Sequence, residues 1–482
     1  MPCVTRTGIV IPPSSKRVLF RPFQFSQDAR YLKIIARVLS MSEAEVEKQT
    51  REVMIDFDGR HQRLERYFLR RFNQVRHHIP LDTELSLARR VLIGAFFTME
   101  YSLESAALFN PSIVPHPDQS GLPEGALRFV ISLRAVGEGH ISSITFRSGV
   151  VAADGDIVID EASPYVTAPE TFPDPYYEKA LFEKKLIEME VLTDLARDVL
   201  TSLEDTFTLE QLKTAIGLVR RINRARAGEF ERTAQDILTL AQANYDILYK
   251  PDTELSERVI FPYSPTESNG IEDARFVRFT HDDGRVLYYA TYSAYDGKTV
   301  IPQILETSDF LHFKIATLNG PEVQNKGMAL FPRRVNGQFA MISRQDAENI
   351  FIMFSDDAHF WYTKQLLLKP TYPWEFVQLG NCGSPIETDA GWLVLSHGVG
   401  PVRRYAIGAF LLDRDDPTKV IGRMKEPLLS PNANEREGYV PNVVYSCGAL
   451  IHNGLLILPY AMSDYASSFA TVPVDEILAA MS

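Results

Sequence analysis

Glu272 and Asp273 stand side by side in Glu267-Ser-Asn-Gly-Ile-Glu-Asp-Ala-Arg275-Phe, at the entrance of an apolar run that reads as a strand. Successive side chains on a strand point to opposite faces. The two carboxylates are therefore expected to face apart, so that one of them acts alone as an acid. Acids are common at turns, and the segment by itself reads equally as a solvated surface turn. Hydrolysis of a glycoside normally takes two carboxylates, one as acid and one to activate water or attack. A single acid is enough where the nucleophile is already an anion. Inorganic phosphate is such a nucleophile, and it needs a cationic, hydrogen-bonding pocket. Lys326, Arg344 and His397 are candidates for that pocket, although each taken singly is an ordinary surface or packing residue.

The elements that must position these residues repeat along the chain. A glycine-led strand recurs at Gly284-Arg-Val-Leu-Tyr-Tyr-Ala-Thr-Tyr, Gly337-Gln-Phe-Ala-Met-Ile-Ser-Arg, Gly391-Trp-Leu-Val-Leu-Ser-His-Gly and Gly454-Leu-Leu-Ile-Leu-Pro-Tyr. Asp283-Gly284, Asn336-Gly337 and Asn453-Gly454 are the dipeptides that tight hairpins prefer. An earlier copy runs from Gly125-Ala-Leu-Arg-Phe-Val-Ile-Ser-Leu-Arg134 to Gly139-His-Ile-Ser-Ser-Ile-Thr-Phe-Arg. A period of roughly 50 residues with several short strands per unit predicts a β-propeller, here with five blades. Arg134, Arg344, His397 and Tyr460 end corresponding strands, so a central channel is expected to gather them.

Two stretches depart from this pattern. Residues 27–107 read as helical, with the capping box Ser42-Glu-Ala-Glu45 and an apolar stripe of Leu64, Phe68, Phe72 and Val75. A second helical stretch over 174–247 opens one helix with Thr208-Leu-Glu-Gln211. The expected fold is mainly β, a five-bladed propeller with two added α-helical regions. Its expected parts are residues 1–26 as an N-terminal strand segment joining the propeller, a helical region over 27–107 and a first blade over 108–165. A helical insertion over 166–250 follows, and the remaining blades with the catalytic site fill 251–482. The helical regions either join copies of the chain into a homo-oligomer or cover the propeller's side or rim.

Composition narrows the classes. The 482 residues carry 50 Lys and Arg against 62 Asp and Glu, a net charge of −12. A general nucleic-acid binder needs the opposite excess. The basic run Arg220, Arg221, Arg224 and Arg226 reads as a solvated or salt-bridged helix face. Three widely spaced cysteines (Cys3, Cys382 and Cys447) suggest neither a disulfide framework nor a metal site, and His77-His78 has no partner at ligand spacing. No run of about 18 apolar residues reads as a membrane span. The first 20 residues carry no signal-peptide pattern, so a cytoplasmic location is expected.

Seven ordered segments then carry a resemblance. SNGIEDARF, NKGMALFPRRVNG, the Ser343-Arg344 after it, SPIETDAGWLVLSHGV, AFLLDRDDPTKVIGR, EREGYVPNVVYSCGA and YAMSDYASSFAT resemble glycoside hydrolase family 130, the family of β-mannoside phosphorylases and some β-1,2-mannosidases. The match runs from about residue 255 to 475, with a fainter extension over about 105–150. The resemblance implies a five-bladed propeller and an inverting phosphorolysis of β-mannosides to α-mannose 1-phosphate, reversible and without a cofactor or metal beyond phosphate as co-substrate. It implies Asp273 as general acid, with its proton passing through a sugar hydroxyl. It also implies Lys326, Arg344 and His397 as phosphate ligands, and Asn110, Arg134, Asn269, Tyr460 and Asp464 as sugar contacts. Ala274 stands where the family carries proline, Gly327 where members often carry Asn or Asp, and Gln378 where many carry Lys or Arg. The alternatives are a β-1,2-mannosidase that uses Glu267, Glu387 or Glu437 as base, and a non-catalytic carbohydrate-binding propeller.

Overall fold

The computed structural model describes residues 2–79, 84–173, 176–222 and 227–481. Arg224 and Arg226 of the basic run lie outside the described residues. The fold is mainly β. Five antiparallel strand pairs follow one another along the chain, each a short first strand and a longer second one. They are Ala107–Pro115 with Leu127–Val136, Gly270–Thr280 with Val286–Tyr295 (where the first strand is instead the longer by one residue), Lys326–Leu330 with Phe339–Arg344, Gln378–Asn381 with Gly391–Val399, and Val444–Tyr445 with Leu455–Met462.

Further strands extend each pair outward. Ser142–Val151 extends the first, and Val300–Thr307 and His312–Thr317 the second. Ile350–Ser355 with Gln365–Leu368 extends the third, and Tyr405–Leu412 with Val420–Arg423 the fourth. The fifth unit joins the two ends of the chain. Its outer strand Ala466–Pro473 pairs with Thr5–Ile11. The hairpin dipeptides Asn336-Gly337 and Asn453-Gly454 have φ of 51° and 83°, and 49° and 76°. Those are the left-handed conformations that a two-residue turn between twisted strands requires.

The first helical region holds Asp28–Ser40, Glu43–Asp56, Leu64–Val75 and Leu87–Phe96. Ser42 and Glu45 form the expected reciprocal cap, and Leu64, Phe68, Phe72 and Val75 are buried. The helical pattern stops at Phe96. Thr98–Glu104, expected to be helical, is a strand paired with Ser14–Pro22. Its buried residues Tyr101 and Leu103 alternate with half-exposed ones, a period of two rather than 3.6.

The second region holds Lys179–Glu188, Asp194–Thr201, Leu209–Ile222 and Ala227–Gln242 around an apolar core of its own that includes Phe182, Leu195, Leu212 and Ile237. Thr208 and Gln211 cap one helix reciprocally, and Arg220 pairs with Glu231 at 2.6 Å. The chain returns through Tyr245–Leu248, which pairs with His312–Thr317 on one side and Glu170–Pro173 on the other. The insertion is thereby sewn onto the outer edge of the second unit. Among the described residues no helix is long and apolar enough to cross a membrane.

Candidate active site

Three of the first strands share one irregularity. The register slips by a residue between Phe109 and Ser112, between Glu272 and Arg275, and between Lys326 and Ala329. Inside these bulges Asn110, Asp273 and Gly327 have φ of 49°, 55° and 83°. Asn, Asp and Gly are the residues that enter the left-handed region most readily. A bulge of this kind re-aims a side chain and is common beside active sites.

The bulge overturns the expectation that Glu272 and Asp273 face apart. With Asp273 left-handed, strict alternation fails, and both carboxylates reach one guanidinium. Arg134 Nη2 donates to Glu272 Oε1 at 2.7 Å and Nη1 to Asp273 Oδ1 at 3.5 Å. The Asn110 amide donates to Asp273 Oδ1 at 2.6 Å. Lys326 Nζ pairs with Glu272 Oε2. Burial pushes the Asp273 carboxyl up, but Arg134, Arg275, Lys326 and the Asn110 amide outweigh it and hold the acid below its ordinary value. Asp464 lies in the same field. Burial and the Asp273 charge push its carboxyl up to about 6, against the pull of Arg134 and Arg403.

Arg344 pairs across from Lys326, just ahead of the Gly327 bulge. Its Nε and Nη1 are buried and have no hydrogen-bond partner among the described residues. Burial and the neighbouring Arg275 lower its pKa. His397 pairs across from Gly380, where a Cβ would stand 2.5 Å from the imidazole Cε1, so only glycine admits the ring there. His397 Nδ1–H donates to the Asn381 carbonyl at 3.1 Å. Nε2 is left to accept from the Gln378 amide at 3.4 Å. Burial, then Arg344 and Arg275, push this imidazole well below its ordinary value. The expectation of three cations is corrected on this point: His397 is neutral here, because it is buried beside two guanidinium groups.

The strand register also separates Tyr460 from the other strand-end residues. Arg134 pairs with Phe109, Arg344 with Lys326 and His397 with Gly380. In the fifth unit the corresponding pair is Tyr445 with Ala461. Tyr460 is one residue out of step and projects from the other face. Its buried phenol donates to Glu435 at 2.7 Å, and burial with that bond pushes it up to about 12. Tyr460 thus belongs to a structural Arg6–Glu435–Tyr460 network rather than to the cluster around Asp273. Asn269 is exposed beside Gly297, and its side chain bonds to none of the cluster among the described residues.

Three residues of the cluster escaped sequence reasoning. Arg275 donates to the Asp273 carbonyl at 3.0 Å and to the Tyr445 hydroxyl at 2.7 Å, pinning the bulge to the fifth unit. Tyr445 stands on a two-residue strand too short to register as a repeat. Asn381 ties the third unit to the fourth, donating to the Gly327 carbonyl while accepting from His397. The only available signal was that Arg275 shares its hexapeptide with Asp273.

Two of the three carboxylates considered as bases are engaged elsewhere. Buried Glu267 accepts from the hydroxyls of Tyr245 and Tyr292 and from two backbone amides. Glu387 is clamped by Arg333 and Arg414. Glu437 is exposed. No group of three side chains that could hold a metal ion occurs among the described residues.

Acids ringed by cations from several strand pairs, with Arg344 left unpartnered, suit transfer to an anion. Residues 230–482, more than half the chain, match the family described as beta-1,4-mannooligosaccharide phosphorylase. The chain belongs to glycoside hydrolase family 130. A 1,2-β-oligomannan phosphorylase of Thermoanaerobacter sp. strain X514 is 36% identical over 230 residues, covering 46% of this chain and 75% of that one. A β-1,2-mannobiose phosphorylase of Listeria innocua is 31% identical over 227 residues, covering 45% of this chain and 62% of that one. A solved structure of the Listeria innocua β-1,2-mannobiose phosphorylase with β-1,2-mannobiose aligns over 79% of this chain and 92% of its own, with 22% identity and a TM-score of 0.47. Family membership makes the chain a relative of glycoside phosphorylases, and the helical region over residues 28–96 lies wholly outside the matched span.

Proposed function

We propose that this family 130 chain is an inverting glycoside phosphorylase that cleaves a β-mannoside with inorganic phosphate and releases α-mannose 1-phosphate. The observation that carries the reading is Arg344, a guanidinium with two buried, unpartnered nitrogens in the field of Asp273. A buried cation without a counter-charge costs several kcal/mol, and a bound anion removes that cost. The named activities of the two relatives support phosphate as the anion and a mannoside as its partner.

In this reading the five strand units are the blades of a five-bladed propeller whose first strands line the channel, and the two helical regions are additions that cover it or join copies of the chain. Asn110, Arg134 and Asp464 contact the mannosyl unit. Lys326, Arg344 and His397 hold the phosphate, with no other cofactor and no metal. Three free cysteines suit a reducing, cytoplasmic setting.

Asp273 delivers a proton, through a sugar hydroxyl, to the glycosidic oxygen as its bond to the anomeric carbon breaks. A phosphate oxygen attacks that carbon from the opposite face, so the configuration inverts. Hydrogen phosphate brings one proton that the sugar phosphate dianion does not retain. That proton ends on the leaving hydroxyl, and Asp273 is its relay. Without an anion the surrounding cations keep Asp273 ionised. The charge of bound phosphate opposes them and raises the acid toward the protonated state. The neutral His397 ring, with Nε2 as acceptor, is matched to a phosphate that still carries its proton.

Incubation with β-1,2- and β-1,4-linked mannobiose, with and without phosphate, tests the proposal. The expected result is α-mannose 1-phosphate formed only with phosphate present. Free mannose released at the same rate without phosphate overturns it in favour of a hydrolase. Calorimetric binding of a mannoside with no turnover in either condition makes the chain a carbohydrate-binding propeller.

A further inference from the structure

Glu272 is the only carboxylate, among the described residues, that pairs with cations from both sides of the candidate site. Its Oε1 accepts from Arg134, on the strand pair that carries Asn110. Its Oε2 accepts from Lys326, on the strand pair that carries Arg344. The side chain is 13% exposed, so these two contacts form its immediate surroundings. The bulge at Asp273 makes this arrangement possible, because a regular strand would send Glu272 away from the neighbouring acid.

We propose that Glu272 is a positioning residue that couples the sugar side of the site to the phosphate side, sharing Lys326 in the free enzyme and yielding it when phosphate binds. The inference rests on the phosphorylase reading above. A phosphate arriving at Lys326 and Arg344 competes with Glu272 for the ammonium. As Lys326 turns to the phosphate, the undivided charge of Glu272 falls on Arg134. Arg134 then leans toward Glu272 at 2.7 Å and away from Asp273, which it holds only at 3.5 Å. The acid loses part of the cationic field that kept it ionised at the moment its proton is required. The loss of one cation is thus converted into a change of acidity on the neighbouring residue.

The charged and titratable groups that face Asp273 come from every unit. Arg134 stands in the first, Glu272 and Arg275 on its own strand, Lys326 and Arg344 in the third, His397 in the fourth, and Tyr445, Cys447 and Asp464 in the fifth. Within this set, removing Glu272 takes one negative charge from beside the acid, and removing Lys326 takes one positive charge. The two changes should therefore move Asp273 in opposite directions.

The test is the pH profile of kcat for phosphorolysis, with KM measured separately for phosphate and mannoside. Glu272→Gln is expected to lower kcat about 10- to 100-fold. KM for phosphate should stay unchanged or fall, because Lys326 is released to it, and the alkaline limb should move to lower pH. Lys326→Gln is expected to move the limb to higher pH and to raise KM for phosphate about 10-fold. Thermal melting reports whether each variant is folded. A merely structural Glu272 would lower the melting temperature and leave the limb and both KM values in place, which overturns the proposal. A limb that moves the same way in both variants overturns it as well. If Glu272→Gln does not fold, Glu272→Asp takes its place, withdrawing the carboxylate from Lys326 while keeping the charge; an unchanged KM for phosphate and an unchanged limb then overturn the proposal. Should the wild type turn over without phosphate, the phosphorylase reading fails. The limb shifts measured on that water-dependent turnover would still decide whether Glu272 tunes Asp273.

Discussion

The strand Gly270–Thr280 and the strand Lys326–Leu330 make the same backbone excursion and put different residues on it. Each slips register by one residue against its partner, and each places the extra residue in the left-handed region. The bulge in the second unit carries the acid Asp273. The bulge in the third unit carries Gly327, where a Cβ would lie 3.3 Å from the Arg344 Cβ. The backbone thus decides where a residue is presented, and the residue decides which charge stands there. An acid at the second unit faces a vacancy at the third that leaves Arg344 unpaired. Asn110 completes the series, offering an amide from the first unit to the acid of the second.

The sharpest way to break this contrast is Asp273→Asn, which keeps a residue tolerant of the left-handed conformation and removes the proton. Turnover should fall about 10³-fold or more, with folding unchanged by circular dichroism. Retention of more than about a tenth of the activity would mean that the acid stands elsewhere. Gly327→Asp is the reciprocal change. It places a carboxylate on the equivalent bulge beside Arg344, supplies the counter-charge that phosphate is proposed to supply, and should raise KM for phosphate about 10- to 100-fold. Saturating phosphate should recover most of kcat. An unchanged KM would show that phosphate does not approach Arg344.

Periodic features were the legible ones. Asn336-Gly337 and Asn453-Gly454 announced their hairpins, Ser42 and Thr208 their helices, and the glycine-led strands their repeated units. What alternation could not supply was its own interruption. Reading Glu272 and Asp273 as opposed was sound for a regular strand and failed because a one-residue bulge leaves no trace in hydrophobic period. Asn110, Asp273 and Gly327 did carry a residue-type hint, since all three suit the left-handed region. The same one-residue sensitivity misassigned Tyr460, whose neighbour Ala461 holds the equivalent position. The lowered pKa of His397 comes first from burial and then from Arg344 and Arg275 meeting it across strand pairs, an environment no local pattern encodes.

The smallest effect probes how the fifth unit modulates the contrast. Asp464 follows another left-handed residue, Ser463, and its carboxyl is raised to about 6 by burial and by Asp273. A raised acid binds its proton more tightly folded than unfolded. Stability is therefore greatest below the unfolded value of about 3.9 and declines as pH rises through about 6, where the folded group gives up its proton. Asp464→Asn removes that repulsion. The melting temperature should rise by about 2–4 °C at pH 8 and stay the same at pH 4. The same variant deprives Asp273 of a negative neighbour, so the alkaline limb of kcat should move slightly to lower pH. A gain in stability that is equal at both pH values would mean that Asp464 is not titrating against Asp273, and the fifth unit would then have no part in setting the acid.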